Sequence, residues 1–314
     1  MNFLKVCFIG IGSIAKRHMK NLRTIAKKQE IELIVDALRR RIDPGEEQRF
    51  DIHRSYLDDM ELPDDYDVIF ITNPTEFHLN TLHRVRNKSK SFFIEKPLTS
   101  ISNLDLVKEC IFPEHRIYYV ACPLRYTKVI QYLKSYIKDR RVTGVRCISS
   151  SYLPDWRPGT DYRDTYSAHR ELGGGVSIDL IHEWDYIKFL FGMPERVIYC
   201  SGKKSDLSID CEDTALYIAE YKRMFVELHL DYFGRGSIRE VMIFTDQDTI
   251  VGDLINSNIT FLKQKKTIEF EEERDGYQIS ELEHFLDILD GVDSDNSLED
   301  AYRTIQLTQG KIEG

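Results

Sequence analysis

The sequence predicts an α/β chain of two domains: an N-terminal parallel sheet wound with helices, then an α+β domain on a large open, mainly antiparallel sheet. Three observations lead there. Up to residue 121, short apolar runs alternate with amphipathic helical stretches. Beyond it the alternation stops, and residues 197–272 read as successive strands with no helical pattern between them. The length of 314 residues suits two domains at roughly 100–200 residues each. The expected division is 1–121 and 122–314.

Residues 4–9 (LKVCFI) form an apolar run that ends in Gly10, as a buried parallel strand does. Residues 14–28 read as a helix with Ile14, His18, Leu22 and Ile25 on one stripe. A second strand covers 31–38, followed by a connection through Pro44 and Gly45. Residues 67–72 (DVIFIT) are a buried strand, 76–85 a helix, and 91–95 (SFFIE) and 117–121 (IYYVA) two further strands. Strands alternating with helices imply right-handed crossovers and a parallel sheet.

Later, 129–138 and 176–190 read as helices. The segments ALYIAEY, FVELHLDYF, EVMIFT, TIVGDL and ITFLKQ follow as strands, which without intervening helices should pair antiparallel. Helices over 279–289 and 298–307 end the pattern. The acidic run at 271–273 reads as a solvated edge or turn.

Apolar residues make up 42% and charged residues 30%, which argues against disorder and coiled coil. With 43 Lys and Arg against 52 Asp and Glu, the net charge of −9 argues against a nucleic-acid partner. The six cysteines form no C-x-x-C pair and no zinc-spaced cluster, so they read as reduced thiols and no metal is expected. No apolar run reaches the ~18 residues of a bilayer span. Lys5 interrupts the first apolar stretch, and no small-residue cleavage site follows it. The expectation is a cytoplasmic protein without a membrane partner.

Gly10-Ile11-Gly12-Ser13-Ile14-Ala15 is G-x-G-x-x-A set between a strand and a helix. Gly10 permits the tight turn, Gly12 lets a pyrophosphate approach the backbone, and Ala15 allows close helix–strand packing. The helix start at Ser13 and Ile14 offers N–H groups to phosphates, so these five residues are expected to bind a dinucleotide. The end of the second strand selects between NAD and NADP. Asp36 is acidic but precedes the strand end, whereas Arg39, Arg40 and Arg41 follow it. Guanidiniums suit a 2′-phosphate, so NADP is favoured and NAD remains possible through Asp36.

Four motifs extend this reading: IGIGSIAKRH at 9–18, ITNPTEFH at 71–78, Glu95-Lys96-Pro97, and ELGGGVSIDLIHEWDYIKFLFG at 171–192. LRY at 124–126 and CEDTALYIAEY at 211–221 add weaker support. With these motifs the sequence resembles the Gfo/Idh/MocA family of NAD(P)-dependent oxidoreductases, which includes glucose–fructose oxidoreductase and inositol dehydrogenase. Residues 152–175 are further similar to a subgroup associated with surface-sugar and nonulosonic-acid gene clusters. The resemblance implies a Rossmann domain followed by the α+β domain. It implies hydride transfer between a nicotinamide and a hydroxyl or carbonyl of a sugar, sugar derivative or cyclitol. It also implies a homo-oligomer, dimer or tetramer, formed through the open sheet face.

Residue by residue, the resemblance places Lys96 near the nicotinamide and the substrate hydroxyl, before a proline whose peptide bond is cis in many members. His182 and Asp179 are its expected catalytic companions. They lie three apart on the predicted helix, hence on one side of it, where many relatives space the pair four apart. No further ligands accompany them, so a metal is a poor reading. Asn73, Pro74, His78 and Glu95 are expected to line the cofactor site, and His18 to pack or cap. Arg125 and Tyr126 reach substrate hydroxyls or pack between domains. Trp156, Arg157, Tyr162 and Arg163 offer ring faces and guanidiniums to an anionic sugar, or brace an interface. The rival reading is a non-catalytic NAD(P)-binding sensor, against which Lys96 and His182 argue.

Overall fold

Val6, Cys7 and Phe8 are all fully buried, so the first strand, β1 (Phe3–Ile9), is covered on both faces. Five more strands join it in a computed structural model that describes residues 2–110, 112–113 and 115–312. In chain order they and their helices are α1 (Ser13–Gln29), β2 (Glu32–Leu38), α2 (Pro44–Phe50), β3 (Arg54–Tyr56), β4 (Tyr66–Ile71), α3 (His78–Val85), β5 (Ser89–Ile94), α4 (Leu106–Glu109) and β6 (Ile117–Val120). The sheet order is β3-β2-β1-β4-β5-β6, and every pair is parallel.

This is the Rossmann order, whose ligand crevice lies at the carboxyl edge where the order reverses, between β1 and β4. The register brings Leu38, Ile9, Ile71 and Ile94 level at that edge. Helix α2 and strand β3 fill what the sequence showed only as a connection. Asp43 caps α2 by accepting from the Gly45 and Glu46 amides, and Pro44 stands in the first turn.

The remaining elements are α5 (Lys128–Ile137), β7 (Val142–Tyr152), α6 (Val176–Asp179), α7 (His182–Phe191), β8 (Arg196–Gly202), β9 (Thr214–Tyr221), β10 (Met224–Asp231), β11 (Phe233–Thr245), β12 (Thr249–Asp253), β13 (Asn258–Phe261), β14 (Lys266–Glu269), α8 (Gly276–Leu289) and α9 (Leu298–Thr308). The second sheet has the order β14-β13-β12-β11-β7-β10-β9-β8. It is mainly antiparallel as expected, with one difference: β7 pairs parallel with β10. Strand β7, which the sequence pattern did not show, lies inside the sheet, and helical segments separate it from β10 along the chain.

One sheet face packs on a core that contains Trp184, Tyr186, Tyr217 and Tyr232. The other carries Ile198, Leu216, Ile218 and Phe225, between 43% and 55% exposed.

The described residues up to Ala121, together with Gln278–Tyr302, form one compact unit; Cys122–Tyr277 and the residues from Arg303 form the other. Division of the sequence at 121/122 assigned residues 278–302 to the second domain. They group with the first because Phe285 of α8 closes a ring cluster with Phe70, Phe93 and Tyr119. Asn296 also pairs with both backbone groups of Val120 on the edge strand β6.

Candidate active site

In the first unit, Gly10 has φ +89°, and a Cβ there would stand 2.7 Å from the Asn73 Cα. Gly10 is therefore a close-approach position between the β1 and β4 ends. Gly12 precedes α1, and a Cβ built on it meets nothing within 4 Å. The first helical bond runs from the Lys16 amide to the Gly12 carbonyl, so the Ser13, Ile14 and Ala15 amides have no partner one turn back. Ala15 is fully buried. Open space above Gly12 and unpaired helix-start donors fit a pyrophosphate.

Two residues before the end of β2, Asp36 is only 2% exposed. Its carboxylate accepts the Tyr66 hydroxyl at 2.8 Å and contacts His53 Nδ1 at 3.1 Å. Asp36 is thus engaged within the sheet, level with Cys7 rather than with the strand end. Arg39 bonds Glu46 at 2.5 Å. Lys16 also pairs with Glu46, and these two hydrogen bonds hold the Glu46 carboxyl below its usual range. Arg40 and Arg41 are exposed.

The segment Glu95-Lys96-Pro97 leaves β5 at the same carboxyl edge, and the Lys96–Pro97 peptide is cis. Glu95 pairs with His18 Nε2 at 2.5 Å. Burial raises the Glu95 carboxyl, but the His18 hydrogen bond and the charges of His18 and Lys96 outweigh it, and the net direction is down. The expected packing role of His18 thus takes the form of a partner to the residue before the lysine.

His78 departs from its expected place. It is 1% exposed, with Nδ1 3.0 Å from the Pro97 carbonyl and Nε2 2.8 Å from the Asn73 carbonyl. Burial, the largest influence, lowers its pKa. The ring therefore fixes the Asn73 and Lys96–Pro97 turns and presents no face to a ligand. Asn73 donates to Thr81 at 2.7 Å, and Pro74 is exposed beside it.

In the second unit the glycine run 173–175 leads into α6. Gly175 has φ +123°, and a Cβ there would stand 2.4 Å from the Glu212 carboxylate. The single helix expected over 176–190 is broken. Leu180 leaves helical geometry at ψ +34°, and α7 starts afresh at His182. The argument that Asp179 and His182 share one helix face therefore fails. Asp179 belongs to α6, where its carboxylate accepts the Tyr232 hydroxyl at 2.7 Å and is hydrogen-bonded by Tyr166. His182 is partly exposed at the start of α7. Tyr166 and Tyr232 were not legible as partners of Asp179, because Tyr232 lies 53 residues on and Tyr166 reaches it only through the folded loop before the glycine run.

Arg125 is not placed to meet a substrate. It is 2% exposed and grips Asp185 with two bonds, of 2.9 and 2.6 Å. Tyr126 beside it is partly exposed. Trp156 stands edge-on to Tyr232 at 5.2 Å and donates to Ser151. Arg163 is exposed and forked onto Asp161, and Arg157 lies over the Tyr166 ring at 5.0 Å. Arg125→Ala is expected to cost about 3–5 kcal/mol in urea unfolding, because it strands the Asp185 carboxylate. A stability loss well under 1 kcal/mol together with a raised KM would restore Arg125 as a substrate contact.

No group of three or more His, Cys, Asp or Glu suited to a metal occurs among the described residues, and no helix there is long and apolar enough to cross a membrane.

Comparison with known proteins adds to this geometry. Residues 4–121 match the model of an oxidoreductase family with an NAD-binding Rossmann fold, and residues 130–251 match that of the Gfo/Idh/MocA C-terminal domain. No curated protein matches the sequence. Among solved structures, the chain is similar to apo levoglucosan dehydrogenase, with a TM-score of 0.85 and 15% identity over 99% of this chain and 96% of that one. Levoglucosan dehydrogenase with NADH and levoglucosan gives 0.82 and 16% over 98% and 95%. The WlbA dehydrogenase from Bordetella pertussis with NADH and UDP-GlcNAcA gives 0.77 and 17% over 98% and 94%. At these identities the likeness establishes the fold.

Proposed function

Since the chain belongs to the Gfo/Idh/MocA family of NAD(P)-dependent oxidoreductases, we propose that it oxidises or reduces a sugar, sugar derivative or cyclitol at a hydroxyl or carbonyl carbon. The observation that carries this reading is Lys96, held at the carboxyl edge of the sheet that also carries the glycine turn. Structurally similar dehydrogenases that bind NADH with levoglucosan or UDP-GlcNAcA support a sugar-like substrate.

The bound dinucleotide supplies the hydride donor or acceptor. Gly10, whose amide donates to the Leu38 carbonyl, shapes the turn; Gly12, Ser13, Ile14 and Ala15 would hold the pyrophosphate with backbone donors at the helix start, and the turn at Asn73 and Pro74 borders the same crevice. Lys96 carries the substrate hydroxyl proton at Nζ, with Glu95 anchored on His18 behind it. His182 is the second proton-carrying group. Asp179, held by two tyrosine hydroxyls, acts by positioning. Trp156, Tyr126 and Arg163 are the candidates for contact with the sugar. Assaying nicotinamide reduction across a panel of sugars, uronic acids and cyclitols tests this reading. Turnover of none of them, with dinucleotide bound, would favour the sensor.

NADP is the preferred cofactor in this reading. Asp36 is engaged by Tyr66 and His53, which leaves Arg40, exposed at the strand end, and Arg39, which would exchange its Glu46 partner for the 2′-phosphate. Replacing both by Ala is expected to weaken NADP by on the order of 2–4 kcal/mol and to alter NAD little. Equal losses for the two, or a parent that binds NAD more tightly, would reverse the assignment.

The exposed apolar sheet face is the proposed subunit contact of a homodimer or homotetramer, checked by sedimentation of Ile218→Lys. A cytoplasmic location completes the reading.

A further inference from the structure

The second unit carries a cavity of about 320 Å³ whose lining includes Tyr152, Tyr162, Lys204, Asp206, Phe233 and Arg235. None of these residues has a part in the reaction proposed above. Two buried carboxylates build its walls. Asp213, fully buried, accepts the Lys204 amide at 2.7 Å and the Ser205 amide and hydroxyl at 2.8 and 2.6 Å. Asp231, 3% exposed, accepts the Phe233 and Gly234 amides at 3.0 and 2.8 Å and the Ser150 hydroxyl at 2.9 Å. Its other oxygen contacts His229 Nε2 at 2.9 Å.

Each carboxylate thus fixes a short stretch of backbone that carries one cation. The second stretch is a bulge. Phe233 pairs with Tyr152 and Ile238 with Ser150, so residues 234–237 stand opposite Ser151 alone. Bulges of this kind re-aim a side chain. Here the bulge lays the Arg235 guanidinium over the Tyr152 ring, 3.8 Å from its centroid. A stacked guanidinium keeps its in-plane N–H donors for an anion. Neither Arg235 nor the Lys204 ammonium forms an ion pair among the described residues. Lys204 and Arg235 are the two cations of the lining, while the Asp213 and Asp231 carboxylates lie buried behind it with their oxygens taken up by backbone amides, so that Asp206 is the one carboxylate of the lining itself. Tyr162 and Phe233 supply partly exposed rings, and Tyr162 is tied down where its hydroxyl accepts the Ser208 amide at 3.1 Å.

We propose that this cavity is a second ligand site, for a compound that joins a planar ring to a phosphate. Arg235 and Lys204 hold the phosphate, and Tyr162 and Phe233 flank the ring. The volume lies in the range of about 300–1,000 Å³ typical of small-molecule sites.

Calorimetric titration of UDP, uridine and inorganic phosphate into the full chain, saturated beforehand with NADP, tests this site. UDP is expected to bind more tightly than uridine or phosphate, and Lys204→Gln and Arg235→Gln should each weaken it about 10-fold or more. Both side chains are exposed, so thermal unfolding should stay at the parental temperature. Asp206→Asn should strengthen UDP binding by removing the opposing charge. No UDP binding by the parent, equal affinity in the Lys204→Gln/Arg235→Gln double variant, or phosphate binding as tightly as UDP would overturn the proposal.

Discussion

Lys96→Met is expected to lower kcat by about 10²–10⁴-fold, the range for loss of an acid–base group, with dinucleotide affinity nearly unchanged. Methionine keeps most of the length and removes the ammonium. The donors that would hold the pyrophosphate lie at the start of α1, a separate part of the crevice edge. The His18–Glu95 pair also survives the change, so the segment before the lysine keeps its anchor. The loss should fall on kcat and kcat/KM together, as for an interaction made in the transition state. His182→Asn should lower kcat less and flatten its pH profile, because an amide neither takes up nor releases a proton near neutrality. The measurement is kcat against pH for parent and variants on a sugar the parent turns over. A Lys96→Met enzyme with near-parental kcat would remove the lysine from the chemistry and leave it a feature of the turn.

The two glycines of the phosphate turn should fail in different ways. Above Gly12 there is open space, so Gly12→Val is expected to fold normally and to weaken dinucleotide binding about 100-fold or more, by displacing phosphate from two or more charge-assisted hydrogen bonds. At Gly10 the added Cβ meets the Asn73 backbone at 2.7 Å, at φ +89°. Gly10→Ala should therefore cost about 2–5 kcal/mol of stability, from left-handed backbone and overpacking together. Urea unfolding and dinucleotide titration on both variants separate the two effects. Parental affinity in Gly12→Val would move the pyrophosphate away from this turn.

Five of the six strands of the first sheet were legible because the inner ones are buried on both faces and read as mostly apolar runs such as DVIFIT and LKVCFI, whereas β3, only Arg54–Tyr56, carries no such run. The glycine turn was legible because Gly10 sits at φ +89° against the Asn73 backbone, where a side chain does not fit, while Gly12 keeps the space above the helix start open. Strand β7 was not, since VTGVRCISSSY sets Arg146 and three serines among few apolar residues. Its place inside the sheet comes from partners far along the chain. The break between α6 and α7 was hidden in a sequence that keeps helical periodicity across Leu180. Arg125 shows the limit at the site. A guanidinium near a predicted crevice reads as a ligand contact until its buried partner, Asp185, is seen 60 residues away.

Phe285 has a consequence for the order of events at the ribosome. It completes the ring cluster of Phe70, Phe93 and Tyr119, yet its codon is read long after theirs. At about 5–20 residues per second of synthesis, the first unit waits on the order of ten seconds or more with these rings uncovered, while the whole second sheet is made. The nascent chain thus lacks the Phe285 cover of this aromatic surface until α8 arrives. A truncation that ends at residue 121 keeps the glycine turn and Lys96 but leaves that surface permanently bare.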